Sequence, residues 1–400
     1  MIMEPKNWNV YLFRDILERV EVPVNVESNK EYVQIGIRSH GKGLFYKEPV
    51  LGKALGNKQV FWIQPNCFIL NVVFAWEQAI TKTTENEIGM IGSHRFPMYR
   101  PKNDLVDIDY LIYYFLTKRG TDILEAASPG GAGRNRTLGQ ERFLKSKITL
   151  PTLPEQQKIS AILSTQDKVI ELKEKLLAQK QQQKKYLMQQ LLTGKKRLPG
   201  FGGEWKTIHL NEISCRIETK NTVGNNNVLT ISAQYGLINQ TEFFDKVIAS
   251  DDKSNYYLLS KDEFAYNRSY SKGYPYGTIK RLKRYVQGVV SPLYICFAVN
   301  KKLASLDFLE QYFEASIINR EIQSIVQEGA RNHGMLNVAV DDFFRIKITM
   351  PEIEEQKEIA EILRVADHEI DLLQKSIEAE KQKKKALMQL LLTGKVRVKI

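Results

Sequence analysis

Six cations fall within Asn267 to Arg284 with no carboxylate among them: Arg268, Lys272, Lys280, Arg281, Lys283 and Arg284. Tyr270, Tyr274 and Tyr276 are interleaved, and Gly273, Pro275 and Gly277 mark a turn. Guanidinium and ammonium groups on a loop hold phosphates, and with aromatic neighbours they reach base edges in a duplex groove. The stretch therefore reads as a candidate DNA contact. A solvated hairpin whose tyrosines cover the core would have the same composition. Alanine at Arg281 or Arg284 is expected to weaken DNA binding, for all sequences alike if phosphate is the partner and selectively if a base is.

Other candidates are more scattered. Arg331, Asn332 and His333 form a second polar group, and their Arg-Asn pair recurs as Arg134-Asn135. Arg38, His40 and Lys42 sit among glycines; Arg95, Arg100 and Lys102 lie in an aromatic, proline-containing loop; Arg136 closes a glycine-rich basic stretch. Each could hold DNA or be ordinary surface charge. The net charge of +12, from 58 basic and 46 acidic residues, suits a polyanionic partner without requiring one.

Catalytic patterns are missing. Thr193-Gly194-Lys195 lacks the upstream glycine of a phosphate-cradling loop. Ser291-Pro292-Leu293-Tyr294 has one proline where a DNA amino-methyltransferase motif has two. Five scattered histidines show no metal-ligand spacing, and no carboxylate pair stands out as a nuclease or hydrolase centre. The expectation is a non-enzymatic chain with no catalytic residue, no metal and no cofactor of its own. Cys67, Cys215 and Cys296 lie far apart, as buried reduced thiols of a cytoplasmic protein would. The apolar stretch from Val60 to Trp76 is too short and too polar to span a bilayer, and no signal peptide opens the chain, so no membrane partner is expected.

The elements that must position these groups come in duplicate. Residues 151–195 align without gaps to 351–395, with 21 of 45 positions identical, including Glu155-Gln156 with Glu355-Gln356 and the terminal Leu-Leu-Thr-Gly-Lys. Each copy reads as one long helix. Prolines stand at its start, where a missing N–H costs nothing, acidic residues follow at the positive end of the dipole, and Gly194 or Gly394 stops it. Apolar positions are Ile159, Ile162, Leu163, Ile170, Leu177 and Leu187 in the first copy, and Ile359, Ile362, Leu363, Ile370, Ile377 and Leu387 in the second. The steps 163–170–177 and 363–370–377 have the seven-residue period of a coiled-coil seam. Some 38 residues at 1.5 Å rise make a rod of about 57 Å. The simplest packing is an antiparallel pair of the two helices; docking of each on a partner protein is the alternative, and both can hold together.

The regions before the helices repeat more weakly. Trp8 and Ile16 correspond to Trp205 and Ile213, Asp109-Tyr110-Leu111 to Asp307-Phe308-Leu309, and Ile148-Thr149 to Ile348-Thr349. Phe74-Ala75-Trp76 aligns with Phe264-Ala265-Tyr266, which leaves nine fewer residues up to Gly89 than up to Gly288 and predicts a length difference confined to one loop. Short β-branched and aromatic runs alternate with turn residues, as in mixed α/β domains. The expected domains are 1–150 (globular), 151–196 (helix), 197–350 (globular) and 351–400 (helix). The expected fold is α+β: two mixed globular domains and two long helices in an antiparallel coiled coil with pseudo-twofold symmetry.

Leu150-Pro151 and Met350-Pro351, each followed by Glu-Gln and a helix ending Leu-Met-Gln-x-Leu-Leu-Thr-Gly-Lys, resemble the two conserved regions of type I restriction–modification specificity subunits. The string Phe264 to Gly273 likewise resembles a target recognition domain of that family, and domain order extends the resemblance over the whole chain. Such a resemblance implies that each globular domain reads one half of a split, asymmetric site in double-stranded DNA. The helices would set the spacer and bind two methyltransferase subunits, with restriction/translocase subunits completing the complex. S-adenosylmethionine, ATP and Mg would then belong to those partners, not to this chain. A stand-alone DNA-binding regulator and a coiled-coil scaffold that ignores DNA are the readings from other classes.

Overall fold

The computed structural model describes residues 8–56, 58–130, 136–232, 235–243, 252–270, 273–327 and 334–400. Arg134, Lys272, Arg331, Asn332 and His333 lie outside the described residues. The chain forms two compact units, one of Met1–Glu174 with Ser376–Ile400 and one of Lys175–Lys375.

Both units use one plan. In the first, an antiparallel four-stranded sheet has the order Leu17–Val20, Met98–Pro101, Phe68–Leu70, Ile80–Lys82. In the second the order is Ser214–Ile217, Ile295–Val299, Phe264–Asn267, Thr278–Arg281. A two-stranded ribbon closes each unit, Asn9–Leu12 with Lys147–Leu150 and Lys206–His209 with Lys347–Met350. The first core is built on aromatic rings: Phe143 lies 4.7 Å from Phe13 and 5.9 Å from Phe115, centroid to centroid, and all three are fully buried. Its counterpart Phe343 stacks on Tyr266 at 4.8 Å.

Register corrects one alignment made from sequence. Phe68 pairs with Tyr99, and Phe264 with Phe297, at the same place in the two sheets. Phe264-Ala265-Tyr266 therefore corresponds to Phe68-Ile69-Leu70, six residues before Phe74-Ala75-Trp76, which falls in a turn. Asn71 and Asn267 bear this out, since each accepts the N–H two residues ahead at 3.0 Å. Ile91 pairs with Trp62 as Val289 pairs with Leu258, so Phe68 to Ile91 spans 23 steps and Phe264 to Val289 spans 25. The expected nine-residue difference shrinks to two, with the stretch from Phe264 to Arg281 three residues longer than its counterpart from Phe68 to Lys82, so the units differ mainly in the content of this segment.

The long helices run Leu153–Leu191 and Ile353–Leu391. Gly194 and Gly394 adopt φ of 68° and 67°, and the N–H of Lys196 and of Val396 returns to the carbonyls of Gln190 and Leu390, the expected left-handed stop. Helix pairing is antiparallel inside each unit. In the first, Asp167 meets Lys384 and Glu174 meets Lys381; in the second, Lys180 meets Glu369 and Lys184 meets Asp367. The seam residues divide their work. Ile159, Leu163, Ile359 and Leu363 are fully buried in the globular cores, with Ile162, Leu187, Ile362 and Leu387 packed against them. Ile170 and Ile377 are buried further along, while Leu177 and Ile370 are half-buried. Among the described residues no helix is long and apolar enough to cross a membrane.

The recurring Glu-Gln pair explains how each helix is fixed. The Gln156 side chain accepts the N–H of Asp107 at 2.9 Å and donates to the carbonyls of Leu105 and Pro151. Gln356 accepts from Ser305 N–H at 2.8 Å and donates to Pro351. Glu155 takes the Arg397 guanidinium through both oxygens, and Glu355 takes Arg197 at 2.7 and 2.9 Å. Both arginines stand three residues beyond the glycine stop of the opposite helix, one in each unit. Burial holds the Cys67 thiol above its usual range and pushes that of Cys296 up to about 12. Cys215 departs from the expectation of burial: it is exposed on an edge strand of its sheet.

Candidate nucleic-acid interface

The stretch that has no acid in sequence meets four in space, three of them from one helix. Strand Thr278–Arg281 packs beside the helix Leu306–Glu314, which supplies Asp307, Glu310 and Glu314. Arg281, 8% exposed at its side chain, pairs with Asp307 at 2.6 Å and Glu310 at 3.1 Å. Lys280 pairs with Glu314, and Lys283 with Glu310 at 3.1 Å. Lys82 of the first unit occupies the position of Arg281 in the sheet and pairs with Asp109, the counterpart of Asp307, at 2.8 Å. This strand-to-helix tie belongs to the scaffold. Arg281→Ala is therefore expected to destabilise the second unit by about 2–3 kcal/mol, below the value for a wholly buried pair because Asp307 is largely exposed. Urea unfolding of Arg281→Ala beside Arg284→Ala checks it: an unchanged midpoint for Arg281→Ala would refute the tie. Arg284 is exposed, pairs with Glu242 at 3.3 Å and lies over the Tyr285 ring.

The tyrosines separate as well. Tyr274 donates to Glu314 at 2.7 Å, and burial together with that carboxylate holds its phenol well above the ordinary range. Tyr276 packs on the core. Tyr270 remains 63% exposed. Its N–H donates to Gly334, Ser269 bridges to Met335, and Leu336 N–H donates to Arg268, so the loop 268–277 is joined to the segment from 334 onward. The Arg268 guanidinium reinforces the join through the carbonyls of Leu293 and Val338. The start of the basic stretch thus lies beside Gly334 to Leu336, while Arg331, Asn332 and His333 lie outside the described residues.

The first unit has the same join, with Leu138 N–H donating to Val72 at 2.8 Å. Around its loop 71–79 the scattered cations gather. Val72 N–H donates to Arg95, and His40 and Gly41 donate to Glu77 and Gln78, which docks the hairpin carrying Arg38 and Lys42 on this loop. His40, Gly41 and Gly43 all have positive φ, 61°, 63° and 76°, which turns the hairpin sharply. Lys42 and Arg95 are exposed, whereas Arg38 is directed to the Leu44 carbonyl beside the Phe45 ring. Arg136 lies over the Trp76 ring with its guanidinium 5.3 Å from the centroid. Glu77 is the carboxylate of the group and accepts from Ser39 at 3.0 Å. Arg100 and Lys102 do not join it: Arg100 lines a groove with Asp104, Asp107 and Leu153 at the start of the long helix, and Lys102 N–H donates to Ile16.

Each unit therefore presents one loop, 71–79 or 268–277, at the same point of the same sheet. The flanking segments carry cations and aromatic rings that could meet phosphates and base edges. Sequence reasoning missed Arg197 and Arg397, although their identity two residues beyond the repeated Leu-Leu-Thr-Gly-Lys was a usable signal. It also missed Trp76 as the support of Arg136, because a half-buried tryptophan in an apolar run reads as core.

A family model described as the type I restriction modification DNA specificity domain matches residues 25–182. Two type I restriction enzyme specificity subunits of Methanocaldococcus jannaschii, MjaVIII and MjaX, are 25% and 24% identical to the chain. Their alignments cover 99% of it and 94% and 95% of the relatives. The fold is similar to that of the HsdS subunit from Thermoanaerobacter tengcongensis, with a TM-score of 0.56 at 17% identity over 98% of both chains. It is also similar to the type I restriction–modification S subunit from M. genitalium, with a TM-score of 0.54 at 13% identity over 97% of this chain and 99% of that one. With its duplicated scaffold, paired long helices and a specificity-domain match over residues 25–182, the chain is similar along its length to the specificity subunits of type I restriction–modification systems.

Proposed function

We propose that this chain gives a type I restriction–modification complex its DNA sequence specificity by reading a bipartite, asymmetric duplex site, one half with each unit. The observation that carries this is the pair of divergent loops, 71–79 and 268–277, mounted at equivalent positions on one repeated scaffold. A shared scaffold with different contents at the same point is what two heads for two different half-sites need. The long helices set the number of base pairs between the halves and dock two methyltransferase subunits, with restriction/translocase subunits completing the assembly. The chain carries no chemistry in this reading: S-adenosylmethionine, ATP and Mg act on the partner subunits.

The test is methylation profiling of DNA from cells that express the chain with its methyltransferase partner, against cells with the partner alone. A split motif present only when both are expressed is the expected result. Inserting four residues into each long helix adds about 6 Å of rise, which is expected to lengthen the spacer by about two base pairs while both half-sites persist. An unaltered spacer would sink the ruler role of the helices. A chain that forms the complex yet yields no new motif would instead favour a scaffold.

A further inference from the structure

Four arginines among the described residues lie over aromatic rings, and three of them spend their guanidinium on the protein. Arg38 beside Phe45 is bound to the Leu44 carbonyl, Arg197 beside Trp205 to Glu355, and Arg284 beside Tyr285 to Glu242. Arg136 over Trp76 differs: among the described residues it has no carboxylate partner and donates no side-chain hydrogen bond. Its ring support is itself fixed, because the Trp76 indole N–H donates to the Val73 carbonyl at 3.1 Å. The backbone beside it is fixed by the bond from Leu138 N–H to Val72. A half-buried guanidinium held over an indole, with no acceptor among the described residues, is a pre-set fork of donors available to a ligand.

We propose that Arg136, oriented by Trp76, is a specificity-determining residue of the first unit and reads a guanine in one half of the DNA site. Resting on the function proposed above, this names the group through which that unit discriminates. Guanine offers two acceptors, O6 and N7, on its major-groove edge, spaced for the two parallel N–H groups of a guanidinium. A phosphate would also accept, but attraction to the backbone alone needs no ring to hold the fork in one plane. Exposed Lys42 and Arg95, docked against the same loop, have the looser placement that suits phosphates. The second unit has Gly334 at the place of Arg136 and the exposed Tyr270 beside it, so the two heads present different chemistry at one position of the scaffold.

The experiment is selection of duplexes from a random library by the full chain assembled with its methyltransferase partner, followed by sequencing, for the wild type, Arg136→Ala, Arg136→Lys and Trp76→Leu. The wild type is expected to yield a split motif with a guanine in one half. Arg136→Ala is expected to lose preference at that guanine, about tenfold to a hundredfold, and to keep the other half intact. Arg136→Lys retains charge without the fork and is expected to leave the guanine unread, while Trp76→Leu relaxes the same position in part. An Arg136→Ala motif identical to the wild type overturns the proposal, as does equal weakening on every sequence that Arg136→Lys restores, the signature of a phosphate contact. If the wild type selects no motif, the reading of function fails first and this proposal falls with it. Among the described residues Arg136 makes no side-chain hydrogen bond, so both Arg136 variants are expected to melt with the wild type.

Discussion

Gln156→Ala is expected to lower the stability of the first unit by about 3–5 kcal/mol, and Gln356→Ala to do the same in the second. Each side chain is almost wholly buried and joins the turn before a domain helix to the start of a long helix. Removing Gln156 leaves the Asp107 N–H and the carbonyls of Leu105 and Pro151 without that partner, in a space alanine does not fill. Each orphaned buried group costs about 1–3 kcal/mol, and partial entry of water keeps the sum below the simple total. Denaturant unfolding of the two single variants measures this. A loss below about 1 kcal/mol in both would mean that the Glu-Gln pair is held by something other than these bonds. Methylation profiling of the same variants adds a functional reading: loosening the domain from its helix should blur the spacer length while the half-site sequences persist.

Phe143→Ala is the second large effect. The ring is fully buried, stacks on Phe13 at 4.7 Å and touches Phe68, Tyr99 and Phe115. Truncation leaves a cavity in a rigid aromatic stack that cannot collapse, and about 3–5 kcal/mol is the expected cost. The helix Gln140–Lys145 that carries Phe143 begins just after the segment of Arg136 and Leu138. The variant should therefore also loosen the proposed reading loop, weakening selection in one half-site at temperatures where the fold persists. Phe143→Leu, which retains most of the volume, is expected to recover more than half of the stability. Equal losses for alanine and leucine would show that ring stacking, not volume, sets the cost.

Much of the architecture was legible in residues alone. Both helices and their glycine stops follow from local rules that act within a few turns of chain, while the 200-residue repeat and the seven-residue seam made antiparallel pairing the simplest packing. Periodicity could not say which apolar positions serve which partner, and the heptad series turned out to share Leu163 and Leu363 with the globular cores. It also could not fix register across a sheet, which explains the six-residue slip from Phe68 to Phe74: both are a phenylalanine in an apolar run, and only strand pairing tells them apart.

The candidate site was the less legible part, because charge acts through space and not along sequence. The window from Asn267 to Arg284 holds no carboxylate, yet a helix some twenty residues further on brings three of them to its strand, which makes Arg281 a structural tie. Conversely, Arg38, Lys42, Arg95 and Arg136 come from separate stretches, each unremarkable alone, and backbone hydrogen bonds gather them around one loop. The sequence by itself determined that two alike domains are carried on two alike helices. Only the tertiary structure decided which cations are neutralised and which face outward, since that depends on long-range packing that places acids and rings beside them.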